Sequence, residues 1–166
     1  MDNTFRLPRW VVLWMGLSTL VVIWDALFIL LRPASFPGGS LGFIWEFGYV
    51  LYMEVDRAYA DQSNTYLHAL ATMSLVEACI VAWGLYAHKL QKNDQAHLLV
   101  LVAASLTCAK TMLFILVEYW SGWHSIGHND LMPLLLVWII PNGLWVVVPG
   151  AVIVNTSRRL LKALKT

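Results

Sequence analysis

Between residues 107 and 150 the chain reads TCAKTMLFILVEYWSGWHSIGHNDLMPLLLVWIIPNGLWVVVPG, and in that apolar text stand Lys110, Glu118, His124, His128 and Asn142. Two more polar groups interrupt earlier apolar runs, Asp25 in the first and Glu77 in the second. A charged side chain near the centre of a spanning helix costs about 2.5–3.5 kcal/mol on insertion scales, so each of these must be repaid by a partner, a ligand or a reaction. Carboxyls facing a dry pocket can give and take protons, and a tryptophan face in the same pocket can stabilise a cation by about 2 kcal/mol. On that reading Glu77, Asp25, Glu118 and Lys110 form the candidate catalytic set. Glu77 is the expected proton donor and Asp25 or Glu118 the acceptor, while Lys110 holds a carboxylate ionised by pairing. Asn142 orients a carboxylate or a substrate oxygen, and Trp145 with Trp138 faces the cation.

Plainer readings stand beside these. Glu77 and Lys110 also make sense as a structural ion pair, which leaves Asp25, Glu118 and Asn142 without a purpose. Trp138 and Trp145 could be ordinary core or lipid-facing bulk. His124 and His128 have an i, i+4 spacing that suits a metal, yet their glycine-rich loop favours hydrogen-bonded caps, and no metal is expected.

The elements that must hold these residues follow from composition. The chain has 59% hydrophobic and only 13% charged residues with nine tryptophans, and its mean hydropathy is +0.65. A soluble domain carries about 25% charged residues, so the expected class is all-α: an integral membrane four-helix bundle. Spans are expected at about 10–31, 66–87, 97–119 and 131–154, with 1–166 forming a single domain. Residues 41–59 mix Trp45, Phe47, Tyr49 and Tyr52 with Glu46, Glu54 and Asp56, which predicts an amphipathic segment between the first two helices that does not span. Arg32-Pro33 and Pro37-Gly38-Gly39 predict the first helix stop and a turn. The turn at 88–94 predicts antiparallel neighbours, and Pro141 and Pro149 predict a broken fourth span.

The first apolar run is too long and Trp-rich for a signal peptide, so a retained span is expected. Cys79 and Cys108 read as buried small hydrophobes, and His68, His88 and His97 as interfacial. No basic block with interleaved aromatics suggests nucleic acid. Basic residues gather at Arg6, Arg9, Lys89, Lys92 and the 158–165 tail, which predicts both termini in the cytosol.

At about 100° per residue, Thr107, Lys110, Thr111, Phe114 and Glu118 share one stripe of the third span, and Trp138, Asn142, Trp145 and Pro149 one stripe of the fourth. Glu77, Lys110 and Asn142 lie near mid-span, with Asp25 about a turn away. Converging polar groups at similar depth predict one intramembrane pocket.

Gly127-His128, Pro141-Asn142-Gly143-Leu144-Trp145 and Pro149-Gly150 resemble the last span of the emopamil-binding proteins, the sterol Δ8,Δ7-isomerases. The spacing of 59–66 to Glu77, and of Leu113 to Glu118, is similar to the same family. The resemblance covers about 21–160 and extends to the wider EXPERA superfamily, which includes the sigma-2 receptor. It implies that Glu77 takes the place of the second-helix acid, Asn142 the pocket asparagine and Trp145 the tryptophan that faces the cationic intermediate.

The first helix departs from the pattern, since the isomerases carry His-x-x-x-Glu there and this chain has Val21 and Asp25. Lys110 likewise has no counterpart in the sterol isomerases. Trp24-Asp25-Ala26, Arg32-Pro33 and Ala109-Lys110-Thr111 look more like a divergent fungal and plant branch.

The resemblance implies an isomerase that shifts a double bond, or a cyclase, acting on a sterol- or terpenoid-like substrate from the bilayer without a cofactor. Asn142, Trp145, Trp138, His128, Tyr49 and Tyr52 are the expected substrate-binding set. The multi-pass chain is expected in the endoplasmic reticulum, with homodimerisation left open. The alternative is a non-enzymatic protein of the sigma-2 receptor type that binds a sterol or an amine in the same cavity.

Overall fold

In hydrocarbon a single segment satisfies its backbone polar groups by closing its own i to i−4 hydrogen bonds, so long apolar stretches fold as helices. The computed structural model describes residues 5–165 and is all-helical over them. The helices are α1 (Arg9–Leu30), α2 (Glu46–Val55), α3 (Arg57–Ala60), α4 (Thr65–Lys89), α5 (Asn93–Trp120) and α6 (Leu131–Ala163). Four of them, α1, α4, α5 and α6, are long and apolar enough to cross a membrane. At 22 to 33 residues they measure about 33 to 50 Å, against a hydrocarbon core of about 30 Å. The first span matches its expected length, and the other three overrun the expected boundaries, most of all α6.

Neighbours in sequence pack antiparallel, α1 on α4, α4 on α5 and α5 on α6. Small residues let α4 and α5 approach closely: a Cβ added at Gly84 would lie 3.2 Å from that of Leu99. At the end that carries the termini, Val11 and Met15 of α1, Val81 of α4, Val100 of α5 and Val152 of α6 form one core cluster. At the opposite end α2 lies between α1 and α6. It buries Tyr49 and leaves Glu46, Phe47 and Glu54 outside, the amphipathic, non-spanning element that the sequence predicts.

The chain between α1 and α2 turns back tightly. Gly38 adopts φ +81°, and a Cβ on Gly39 would lie 2.4 Å from the Ala34 carbonyl oxygen, so both positions need glycine. Arg32, at the mouth of this turn, donates to the carbonyls of Tyr59 at 2.7 Å and Asp61 at 2.9 Å, which clamps α3 to the end of α1.

The fourth span is not broken. It stays helical through Pro141 and Pro149; a π-helical turn over Leu134–Ile139 precedes Pro141, and Pro149 lies within regular α-helix. At Pro141 the wider turn accommodates a ring that an α-helical ladder would reject. His97, near the start of α5, is fully buried, with Nδ1 2.8 Å from the Asn93 carbonyl and Phe5 stacked on its ring. One smaller expectation fails. Cys79 lies exposed on the outer face of α4 and Cys108 is half-buried, so neither is a core residue.

Candidate active site

The antiparallel packing brings one polar position of each span to the same level, and α2 covers them at the end away from the termini. Between them lies a cavity of 510 Å³, inside the range of about 300–1,000 Å³ typical of small-molecule sites. One wall belongs to Asp25. Its carboxylate accepts the hydroxyl of Tyr49, and that of Tyr59 at 3.2 Å. Tyr52 packs edge-on against the Tyr59 ring, with centroids 4.7 Å apart. Burial, and then the Asp25 and Asp56 carboxylates, push the Tyr49, Tyr52 and Tyr59 phenols well above their ordinary range. All three stay neutral donors at any physiological pH.

The opposite wall is made by α4 and α5. Lys110 Nζ lies 2.8 Å from Glu77 Oε2 and donates to Ser74 Oγ at 2.6 Å. Thr107 donates to the other Glu77 oxygen at 2.6 Å. The pairing expected of Lys110 is therefore with Glu77. Lys110, Ser74 and Thr107 face the cavity, whereas Glu77 stands behind them, outside the lining. This placement gives the donor role expected of Glu77 no support: Glu77 is the counter-ion of Lys110, and Asp25 is the carboxyl that lines the cavity.

The third wall belongs to α6. Asn142 and Trp145 line the cavity as expected. The Asn142 amide donates to the Trp138 carbonyl at 2.9 Å, and Trp14 meets the Trp145 ring edge-on at 5.2 Å. Val21, Trp24, Leu136 and Pro141 belong to the lining and are also exposed on the outer surface. The cavity therefore opens sideways between α1 and α6, toward the apolar face of the bundle.

Besides Glu77, three expected site residues lie outside the cavity lining. Glu118 accepts the backbone N–H groups of Ser125 at 2.7 Å and Ile126 at 3.3 Å, so it caps the loop before α6, outside the cavity lining. His128 is exposed, with Nε2 2.9 Å from the Glu54 carbonyl, and pins the same loop to α2. Trp138 is buried outside the cavity, and its indole N–H donates to Asp56 Oδ2 at 3.1 Å. Trp138 and Asn142 are both buried one turn apart, and it is depth that separates Trp138 from the cavity, at the level where Asp56 takes its indole N–H. Tyr59 and Ser74 are members of the site that their sequence context did not single out.

Asp56 lies between α2 and α3, outside the four spans. Burial pushes its carboxyl up to about 6, against the opposing pull of the Ala58 N–H and the Trp138 indole. A carboxyl whose folded value exceeds its unfolded one stabilises the fold at low pH, and that contribution disappears as pH rises toward about 6. Thermal midpoints measured in detergent should accordingly fall between pH 4 and 6 in wild type. Asp56→Asn should flatten that slope, and an unchanged slope would mean that Asp56 is not its source.

The architecture defines a class: a four-span helical membrane protein with one laterally open polar cavity inside the bundle. Comparison with protein-family models and with curated proteins returns no match for this chain, so its function is argued from the cavity.

Proposed function

We propose that the chain is an isomerase of the emopamil-binding type that shifts a double bond, or closes a ring, in a sterol- or terpenoid-like substrate entering from the bilayer. The observation that carries this reading is Asp25: a carboxyl held by two phenols, facing a cavity that opens sideways through apolar residues. Asp25 gives its proton to one alkene carbon, and the adjacent carbon becomes cationic. Tyr49 and Tyr59 stabilise the carboxylate left behind, and the carboxylate in turn stabilises the cation. The Trp145 face, fixed by Trp14, adds to this. Return of a proton from the neighbouring carbon to Asp25 completes a shifted double bond with no change in mass. Ring closure follows instead where a second alkene reaches the cation before that proton is lost.

The Lys110 charge would oppose a nearby cation, and its pairing with Glu77 removes that objection. A redox-neutral rearrangement uses no cofactor. The basic residues at the termini end, Arg6, Arg9, Lys89, Lys92 and the 158–165 tail, support placing that end in the cytosol, and an endoplasmic-reticulum location suits the substrate class.

The test is to incubate the purified protein in lipid nanodiscs with a sterol and terpenoid extract, in H2O and in D2O. Isomeric products are expected at unchanged mass in H2O and one deuterium heavier in D2O. Extract components that co-purify with the protein but are recovered unaltered would replace this reading with that of a binding protein.

A further inference from the structure

A second concavity, which shares no lining residue with the cavity of Asp25, lies at the termini end in a groove of 1060 Å³ between the starts of α1 and α5 and the last turns of α6. Its floor is apolar and shallow, formed by Gly150, Ala151 and Val154 with Trp10 at its side. Its far end carries Arg158, Arg159 and Lys162 against a single acid, Asp94. Arg159 is held in place, donating to Asn155 Oδ1 at 3.0 Å and to the Arg6 carbonyl at 3.4 Å. The Arg158 and Lys162 side chains are exposed, and among the described residues neither has a hydrogen-bond or ion-pair partner.

Depth gives the groove its meaning. The apolar run of α6 ends at Val154, and α1 begins with Arg9 and Trp10 at the same end of the bundle. Tryptophan marks the boundary between hydrocarbon and headgroups, so the apolar floor lies at acyl-chain level and the cations lie at phosphate level. A free anion would use only the cationic end and leave the apolar floor uncovered. A molecule with a phosphate joined to an acyl chain covers both. We propose that this groove binds an anionic phospholipid of the membrane leaflet at the termini end, with its phosphate between Arg158 and Lys162 and an acyl chain along Gly150 to Val154.

The experiment uses the full chain in nanodiscs of equal phosphatidylcholine and phosphatidylserine, and native mass spectrometry of the lipids retained after release. Wild type should retain phosphatidylserine in preference. Arg158→Gln with Lys162→Gln should lower that preference by roughly fivefold for each cation removed. The charge-matched control, Lys89→Gln with Lys92→Gln, removes two exposed cations at the same end but outside the groove and should leave the preference unchanged. An equal loss in both double variants would mean diffuse surface attraction and would overturn the site. A further arm adds inorganic diphosphate to phosphatidylcholine nanodiscs. Retention of diphosphate there with no preference for phosphatidylserine would make the ligand a free anion and overturn the lipid. None of these readouts depends on turnover, so the site stands or falls separately from the isomerase reading.

Discussion

Asp25→Asn is expected to reduce isomerisation by about 10²-fold or more while leaving the protein folded. The amide occupies the same volume and its oxygen still accepts the Tyr49 hydroxyl, so the wall of the cavity keeps its shape. What it loses is a proton to give and a place to receive one. Tyr49→Phe and Tyr59→Phe, which remove donors to the carboxylate and keep the carboxyl, should reduce rate by less than Asp25→Asn does. Binding of the same extract components, measured by co-purification, should survive in all three. Activity of Asp25→Asn within a few-fold of wild type would remove Asp25 from the proton-transfer role and return attention to the Lys110 wall.

Lys110→Met should be the most damaging substitution for stability, and Lys110→Met combined with Glu77→Gln much less so. The single change leaves a carboxylate buried without a counter-ion, which costs about 3–5 kcal/mol, whereas removal of both charges is close to neutral. Thr107 can still donate to the residue 77 side chain in the double variant. The comparison is made on thermal midpoint and on the yield of monodisperse protein in detergent. If Lys110→Met alone matches wild type, the pair is not charged in the folded protein and the balance proposed beside the cation must be abandoned.

What the sequence made legible was decided by cost. Lys110 and Glu77 stand out because lipid penalises them, and a penalty that large forces a partner at the same depth. The stripe of Thr107, Lys110, Thr111 and Phe114 was readable because α5 keeps a regular α-helical turn, and all four line the cavity. Glu118 continues that stripe, yet it sits where the helix meets a loop whose N–H groups need an acceptor, a demand that periodicity does not register. Trp138 was misplaced for a different reason, since phase gives a face and not a depth: it is buried one turn from Asn142, at the level where Asp56 accepts its indole N–H. Tyr59 was hidden by company. In a segment already rich in aromatics one more phenol looks like interfacial anchoring, and contacts far apart in the chain, among them the Arg32 clamp across 27 residues, hold it beside Asp25.

That clamp also bears on the order in which the protein can be made. Asp25 leaves the synthesis machinery with no partner, but Tyr49 and Tyr59 follow it by 24 and 34 residues. Arg32, sitting between them, can draw α3 back onto α1 before α4 has been synthesised. The second polar wall is spaced in the same way, with Lys110 following Ser74 by 36 residues. The charges at the cavity, Asp25, Glu77 and Lys110, are thus matched to groups in their own or the next hairpin, whereas buried Asp56 has to await Trp138 of the last span. Because chains emerge N-terminus first, an intermediate halted after α3 already has partners for Asp25, and one halted after α5 has them for Glu77 and Lys110 as well. Both halves of the cavity are therefore local in time as well as in space, and α6 arrives last, as the wall that closes it.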